Sequence, residues 1–337
     1  MTMTNCPGIH DDRRTAQLIL RDKYNQRELI VIDILPKDGL RAGQNGITLG
    51  TGLEGLYRVP VELPIEQWAY EDGATVSELP RKKERRPKIT LLTRGRSYAD
   101  WERVEELLWS VLSTKWDCWL RLFRPDGSWR ELRVRLLHEP PDKTDTIYGR
   151  YTRFEWEGIE LLSWDPFWYS KPYRYAFTRD DQGDGTPYMT PIGGGKYQID
   201  VPVTNPTDEY GWMEWSSGNL TNTAETWSFQ DGEATTAGQP NMIPVGPLSG
   251  SNKTFWLRTD PSVPQLWVRD LGQDWAYMRS KTFTQPLRPN TPKPRTVRVE
   301  LQGGVPTSRM MLTIPRRWDR PIGGELPIVA EIEGVPA

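Results

Sequence analysis

The sequence predicts a mainly β protein in two domains: a β-structure bearing one amphipathic α-helix, then a β-sandwich. Three observations carry this. Only one stretch of the 337 residues, Ser97 to Lys115, has strong helical periodicity. Gly and Pro number 29 each, which suits many short strands and turns better than long helices. From Lys196 onward, short apolar runs recur about every 8–12 residues, the spacing of a sandwich or barrel.

In chain order, residues 1–14 are polar and read as a terminal arm. Gln17 to Asp22 and Leu29 to Leu35 are β-rich on either side of Lys23-Tyr24-Asn25-Gln26, a hairpin turn. The glycine-rich stretch from Gly39 to Gly55 reads as a loop or irregular edge. Tyr57 to Leu63 is interrupted by Pro60 and is expected at a sheet edge, and Asp72-Gly73 marks a turn.

The organising unit runs from Lys88 to Leu136. A strand around Ile89 to Thr93 leads into the helix, where Ser97 and Asp100 form a capping pair. Trp101, Val104, Leu107, Leu108, Val111 and Leu112 share one face at spacings of three and four. Asp100, Glu102, Glu105 and Glu106 crowd the first turns and Lys115 stands at the end, as the helix dipole favours. Trp116, Cys118, Leu120 and Leu122 then alternate with Asp117, Trp119 and Arg121, a half-buried strand. Pro125-Asp126-Gly127 turns the chain, and Leu132, Val134 and Leu136 alternate with Arg133 and Arg135 on the return.

Tyr148 to Leu162 is another aromatic-rich strand region, and Pro166 bends the chain within Ser163-Trp164-Asp165-Pro166-Phe167-Trp168-Tyr169. The expected divisions are an arm at 1–14, a first domain at 15–165, and a junction with a Gly/Asp-rich loop at 166–195. A sandwich at 196–320 and a tail at 321–337 complete the chain. The runs of the sandwich are Tyr197–Val203, Gly211–Ser216, Glu225–Gln230, Thr254–Arg258, Gln265–Arg269, Trp275–Arg279, Thr296–Leu301 and Met310–Ile314. Pro286, Pro289, Pro292 and Pro294 stiffen a spacer between the sixth and seventh.

A mean hydropathy of -0.65 predicts a water-soluble chain. The formal net charge of -2 supplies no global field for nucleic acid or an anionic membrane. Two cysteines, Cys6 and Cys118, exclude a disulfide framework and point to synthesis in a reducing, intracellular place. The amino terminus lacks the apolar core of a signal peptide. The longest apolar run, Leu29 to Leu35, is interrupted by Asp33, so no membrane insertion is expected.

The search for catalysis is negative. The two histidines, His10 and His138, have no visible Cys or Ser partner. Gly193-Gly194-Gly195-Lys196 fails as a phosphate loop because Thr190 and Tyr197 stand where Gly and Ser/Thr are needed. Asp180, Gln182, Asp184 and Gly185 imitate a calcium loop, but Pro191 replaces the bidentate Glu. No carboxylate pair can be located, and no catalytic, metal or cofactor residue is expected.

Two binding readings remain. The run Arg81-Lys82-Lys83-Glu84-Arg85-Arg86 is read first as a solvated linker or a cluster protecting a sheet edge. The sharper reading makes Arg81, Lys82, Lys83, Arg85 and Arg86 contacts for an acidic partner or a second copy of the chain. Sixteen tryptophans, with Trp212, Trp215 and Trp227 foremost, offer stacking platforms for a glycan. Most are expected in the core or at interfaces instead, Trp256 and Trp267 among them because their neighbours are apolar.

Taken together, the chain resembles the distal tail proteins of long-tailed, siphovirus-type bacteriophages, encoded as minor tail proteins in phages of actinobacteria. The resemblance rests on three features in order. They are Asp72-Gly73, the basic run, Gly95-Arg96-Ser97 and the helix; then Arg124-Pro125-Asp126-Gly127 and the Trp164-to-Tyr169 junction; then Val203-Thr204-Asn205 and Phe283-Thr284-Gln285-Pro286-Leu287. Asn205 departs from the pattern, since Pro206-Thr207-Asp208 follows it in place of Gly and an acidic residue.

The resemblance implies an amino-terminal belt domain forming a ring of six and a galectin-like carboxy-terminal sandwich. Its implied partners are the major tail tube protein, the tail hub or tail-associated protein and the tape measure protein, with phage DNA passing through a channel. The virion, at the distal end of the tail, is the implied location. The competing expectation is a tail-tip protein that binds host cell-wall glycan through the second domain. A glycan hydrolase is a third, without a nameable acid–base pair.

Overall fold

The computed structural model describes residues 16–35, 45–63, 65–66, 75–76, 81–124, 127–140, 152–218, 224–236, 239–248, 254–269, 272–273 and 275–323. The chain is mainly β, as its composition predicts, and separates into two compact units. One runs to Ser170 and regains Trp318–Gly323; the other is Lys171–Arg317.

The first unit contains β1 (Ala16–Arg21), β2 (Glu28–Leu35), β3 (Ile47–Glu54), and the two-residue pieces β4 (Val61–Glu62), β5 (Ile65–Glu66), β6 (Thr75–Val76) and β7 (Arg81–Lys82). β8 (Lys88–Arg94), α1 (Tyr98–Val111), β9 (Cys118–Phe123), β10 (Trp129–Leu136) and β11 (Arg153–Leu162) follow, and β12 (Trp168–Thr178) carries the chain onward. β2, β1, β9 and β10 pair antiparallel in that order. β11 leaves β10 at Leu136↔Leu161 to pair with β8, and β8 pairs with β3.

Residues 47–54, expected within a loop, are therefore a strand; Ile47 and Leu49 are buried on it. Alternation of apolar residues outweighs the glycines there, and the irregular register falls at Gly52, whose φ is 99°. Tyr57 to Leu63 contributes only Val61–Glu62, paired with Arg81–Lys82.

The helix is capped as its sequence predicts, with the Asp100 amide donating to Ser97 Oγ at 3.2 Å. The Asp100 carboxylate returns a bond one residue early, accepting from the Arg96 amide at 2.7 Å. Gly95 is required because a Cβ there would collide with the Trp101 backbone. The helix ends at Val111, so Lys115 lies beyond its last turn. Trp101, Val104, Leu108 and Val111 face the core, where Val104, Leu108 and Val111 meet Leu18, Ile32, Leu120, Leu132 and Leu161.

The second unit continues from β12 with β13 (Thr190–Gly193), β14 (Lys196–Asn205), β15 (Glu214–Ser217), β16 (Glu225–Thr236), β17 (Gln239–Leu248), β18 (Phe255–Arg258), β19 (Leu266–Val268) and β20 (Gly272–Gln273). A 3-10 turn (Trp275–Met278), β21 (Thr291–Gly303) and β22 (Arg309–Trp318) complete it. One sheet runs β13-β14-β21-β16-β17; β22, β15, β18, β19 and β20 are neighbours in the other. Both contribute to one core, with Val201, Trp227, Phe229, Val245 and Val299 from the first, and Trp215, Phe255, Leu257, Leu266 and Leu312 from the second.

Four elements differ from expectation here. β21 begins at Thr291, so Pro292 and Pro294 of the expected spacer lie within a strand. Trp275–Met278 is a 3-10 turn and not a strand. β17 contains Pro240, Pro244 and Pro247, which mask a strand pattern; it is tolerated because it pairs only with β16, at a sheet edge. Residues 166–195, expected as a junction and loop, hold β12 and β13.

Residues of the second-unit motifs hold their loops in place. Asn205 is buried and donates to the carbonyls of Glu209, Leu287 and Arg288. The Asp231 carboxylate accepts from the amides of Thr284 and Gln285, which fixes Phe283 and Leu287 in the core. Among the described residues, no helix is long and apolar enough to cross a membrane. The arm at 1–14, the turns at Asp72-Gly73 and Pro125-Asp126, and the tail beyond 323 lie outside the described residues.

Candidate assembly surface

The basic run divides into surface cations and one buried guanidinium. Lys83 is half exposed and pairs with Glu62 at 3.1 Å, and Arg86 pairs with Glu84 at 2.9 Å. The Lys82 ammonium stands 4.8 Å from the centre of the Phe167 ring. Arg81 is exposed on the two-residue strand β7. These four cations stand at the surface of the first unit.

Arg85 does not join them. It is fully buried, and its guanidinium donates to the backbone carbonyls of Leu56, Pro166 and Asp319. Its backbone exchanges two bonds with Ser163, both at 2.9 Å. Burial pushes its pKa down to about 10, against the opposing field of Asp319. A planar five-donor fork suits three converging carbonyls, and that geometry removes Arg85 from any contact surface. The expectation that all five cations of the run are contacts is corrected at this position.

A second charged surface lies outside the residues expected as contacts. On the face of the β2-β1-β9-β10 sheet turned from the core, Arg21 clasps Glu131 with bonds of 2.8 and 2.7 Å. Arg121 bridges Glu131 at 3.1 Å and Glu28 at 2.6 Å. Arg21 lies 4.8 Å from the Trp119 ring and Arg121 4.8 Å from the Trp129 ring. Asp117 is shared by Arg133 and Arg135, which both lie over the exposed Trp164. Arginine and tryptophan at this density are the residues that anchor protein interfaces. The signal was in the alternation, since Trp119, Arg121, Glu131, Arg133 and Arg135 all hold the polar parity of their strands.

In the second unit, Trp215 and Trp227 are core residues, 1% and 0% exposed. They pack with Phe177 and Phe229 at centroid separations of 5.0 to 6.5 Å and offer no face to a sugar. Trp212 is half-buried beside Arg258 and Arg317. Trp256 and Trp267, expected in the core or at an interface, are not core residues but exposed. Parity could have found them, because Arg258 shares a strand face with Trp256.

The imitation calcium loop spends its carboxylates locally. Asp180 pairs with Arg179, while Asp181 and Asp184 accept the amides of Gly183 and Thr186. Gly193-Gly194-Gly195 turns the β13–β14 hairpin with φ of 93°, 60° and 72°. Among the described residues, no three His, Cys, Asp or Glu side chains converge as a metal site would require.

No family model matches this chain, and no curated protein does. Solved structures do. The Dit protein of phage SPP1, described as a paradigm of the hub adsorption apparatus in phages infecting Gram-positive bacteria, matches with a TM-score of 0.51 at 12% identity. The match covers 90% of this chain and 98% of that one. A chain of the phage p2 baseplate in its activated conformation matches with a TM-score of 0.50 at 12% identity, covering 91% and 99%. At that identity the likeness is one of fold.

Proposed function

We propose that this chain is a distal tail protein of a long-tailed bacteriophage. In this reading it is a non-catalytic subunit of a homo-oligomeric ring, six-membered, joining the tail tube to the tail-tip hub and leaving a channel for DNA. The observation that carries it is the fold likeness to a phage hub protein and a phage baseplate chain over nine-tenths of the sequence.

The contacts we assign to ring and tube are Arg81, Lys82, Lys83 and Arg86, together with the arginine–tryptophan face of the β2-β1-β9-β10 sheet. The partners are the major tail protein, the tail hub or tail-associated protein and the tape measure protein. Of the glycan platform expected at Trp212, Trp215 and Trp227, the latter two are buried and Trp212 is half-buried.

Electron microscopy of the purified chain, alone and mixed with tail-tube protein, tests the reading. Rings with a central opening that cap tube ends are expected. Monomers that bind no tube protein would overturn it.

A further inference from the structure

We infer that Trp256 and Trp267, with Arg258, form a cleft that binds a neutral sugar chain on the second unit. The inference is independent of the ring reading. It begins with the hairpin itself. Phe255, Leu257, Leu266 and Val268 point into the core and are at most 2% exposed. Successive side chains of a strand take opposite faces, so Trp256, Arg258 and Trp267 point outward. Trp256 and Trp267 are direct cross-strand partners. Their rings lie 4.7 Å apart at 53° and remain 42% and 41% exposed.

With Arg258 and Pro264 the two indoles bound an open cavity of about 530 Å³. That lies within the range of about 300–1,000 Å³ typical of small-ligand sites. The walls are held before any ligand arrives. Gln265, buried at the base of the hairpin, donates to the Phe283 carbonyl at 2.9 Å and accepts from the Phe283 amide at 3.0 Å. Ser217 Oγ accepts the Phe255 amide at 2.9 Å, and Asp260 accepts the Ser262 amide at 2.9 Å in the connecting turn. A site on paired strands is more precise than one on loops.

The chemistry of the rim selects the ligand. Arg258, the one charged residue lining the cavity, stands 3.7 Å from the Glu214 carboxylate beside it, so its charge has a neighbouring counter-charge while its N–H groups remain donors. Sugar hydroxyls both donate and accept, and the C–H face of a pyranose is slightly positive where an indole face is negative. An acidic ligand would reach Arg258 only in competition with the Glu214 carboxylate already paired to it, and an apolar protein anchor would strip water from the Arg258–Glu214 pair without replacing it. Arg258 also lines a smaller cavity of about 70 Å³ with Trp212, Asp260 and Arg317, which gives a bound chain a direction in which to extend.

The test is titration of the full-length protein with triacetylchitotriose, cellotriose and maltotriose, read by tryptophan fluorescence and saturation-transfer NMR. Saturable binding of at least one is expected, weakened about tenfold or more by Trp256→Ala and by Trp267→Ala. Both positions are exposed, so thermal melting should match the parent; Arg258→Gln carries the same test if either variant unfolds. No saturation by any of the three up to about 10 mM, or binding unchanged in all these variants, overturns the inference. Rings that bind no sugar would overturn this inference alone, and a chain that binds sugar but stays monomeric with and without tail-tube protein would overturn the ring reading alone.

Discussion

The indole N–H of Trp156 on β11 reaches both carboxylate oxygens of Glu105 on α1, at 3.0 and 2.9 Å. Trp109 donates to the same carboxylate at 2.9 Å, and the Thr93 hydroxyl donates as well while accepting from Trp101 at 3.1 Å. Glu105 thus ties the helix to β8 and β11 by bonds from neutral donors. Glu105→Ala should destabilise the protein by about 2–4 kcal/mol, because it leaves the buried indole N–H of Trp156 and the half-buried one of Trp109 without their acceptor. Glu105→Gln keeps one acceptor oxygen and should cost less. Urea unfolding checks this; equal stability of Glu105→Ala and the parent would contradict it.

Arg85 makes a sharper contrast with its neighbours. Arg85→Met leaves the Leu56, Pro166 and Asp319 carbonyls facing an apolar side chain, a loss of about 3–5 kcal/mol. Arg85→Lys should recover only part of it, since an ammonium cannot span three carbonyls as the planar fork does. Arg86→Ala, at an exposed pair, should stay within about 0.5 kcal/mol. Thermal melting of the three variants reads the order directly.

Cys118 gives a pH-dependent probe. Burial, reinforced by Asp117, pushes its thiol from 9.0 up to about 12. Below pH 9 the thiol is neutral in folded and unfolded chains alike, and it adds no pH dependence. Between 9 and about 12 the unfolded chain has lost the proton while the folded chain keeps it, so its contribution to stability falls as pH rises. In a Cys6→Ser background, Ellman's reagent should therefore react at pH 8 only as fast as the protein unfolds. Rapid native-state labelling would show the thiol to be accessible.

The exposed cations of the basic run carry a functional prediction. Simultaneous Arg81→Glu, Lys82→Glu, Lys83→Glu and Arg86→Glu should leave the melting temperature of the isolated subunit nearly unchanged and abolish higher assembly. Sedimentation velocity with the parent as control distinguishes the two effects. Unimpaired assembly would remove these residues from the interface.

Local pattern made the first unit's central segment legible, because helix face, cap and strand alternation lie within fifty residues of sequence. The outward parity of Trp119, Arg121 and Arg133 was equally visible there, yet its meaning depends on partner strands far along the chain. Arg85 was not legible: a charged run looks solvated until the carbonyls of Leu56, Pro166 and Asp319 converge on one of its members. Strand β17 hid behind its prolines, and the return of Trp318–Gly323 to the first unit is marked by no change in composition. In the second unit, aromatic content alone did not separate core Trp215 from exposed Trp256; strand parity does.

The most direct test of the central claim is the solution mass of the full-length protein, by light scattering across a concentration series with and without tail-tube protein. The account predicts a closed species of about six subunits, formed alone or on the tube template, with no open-ended growth in mass. A particle that stays at the mass of one chain under both conditions would contradict it.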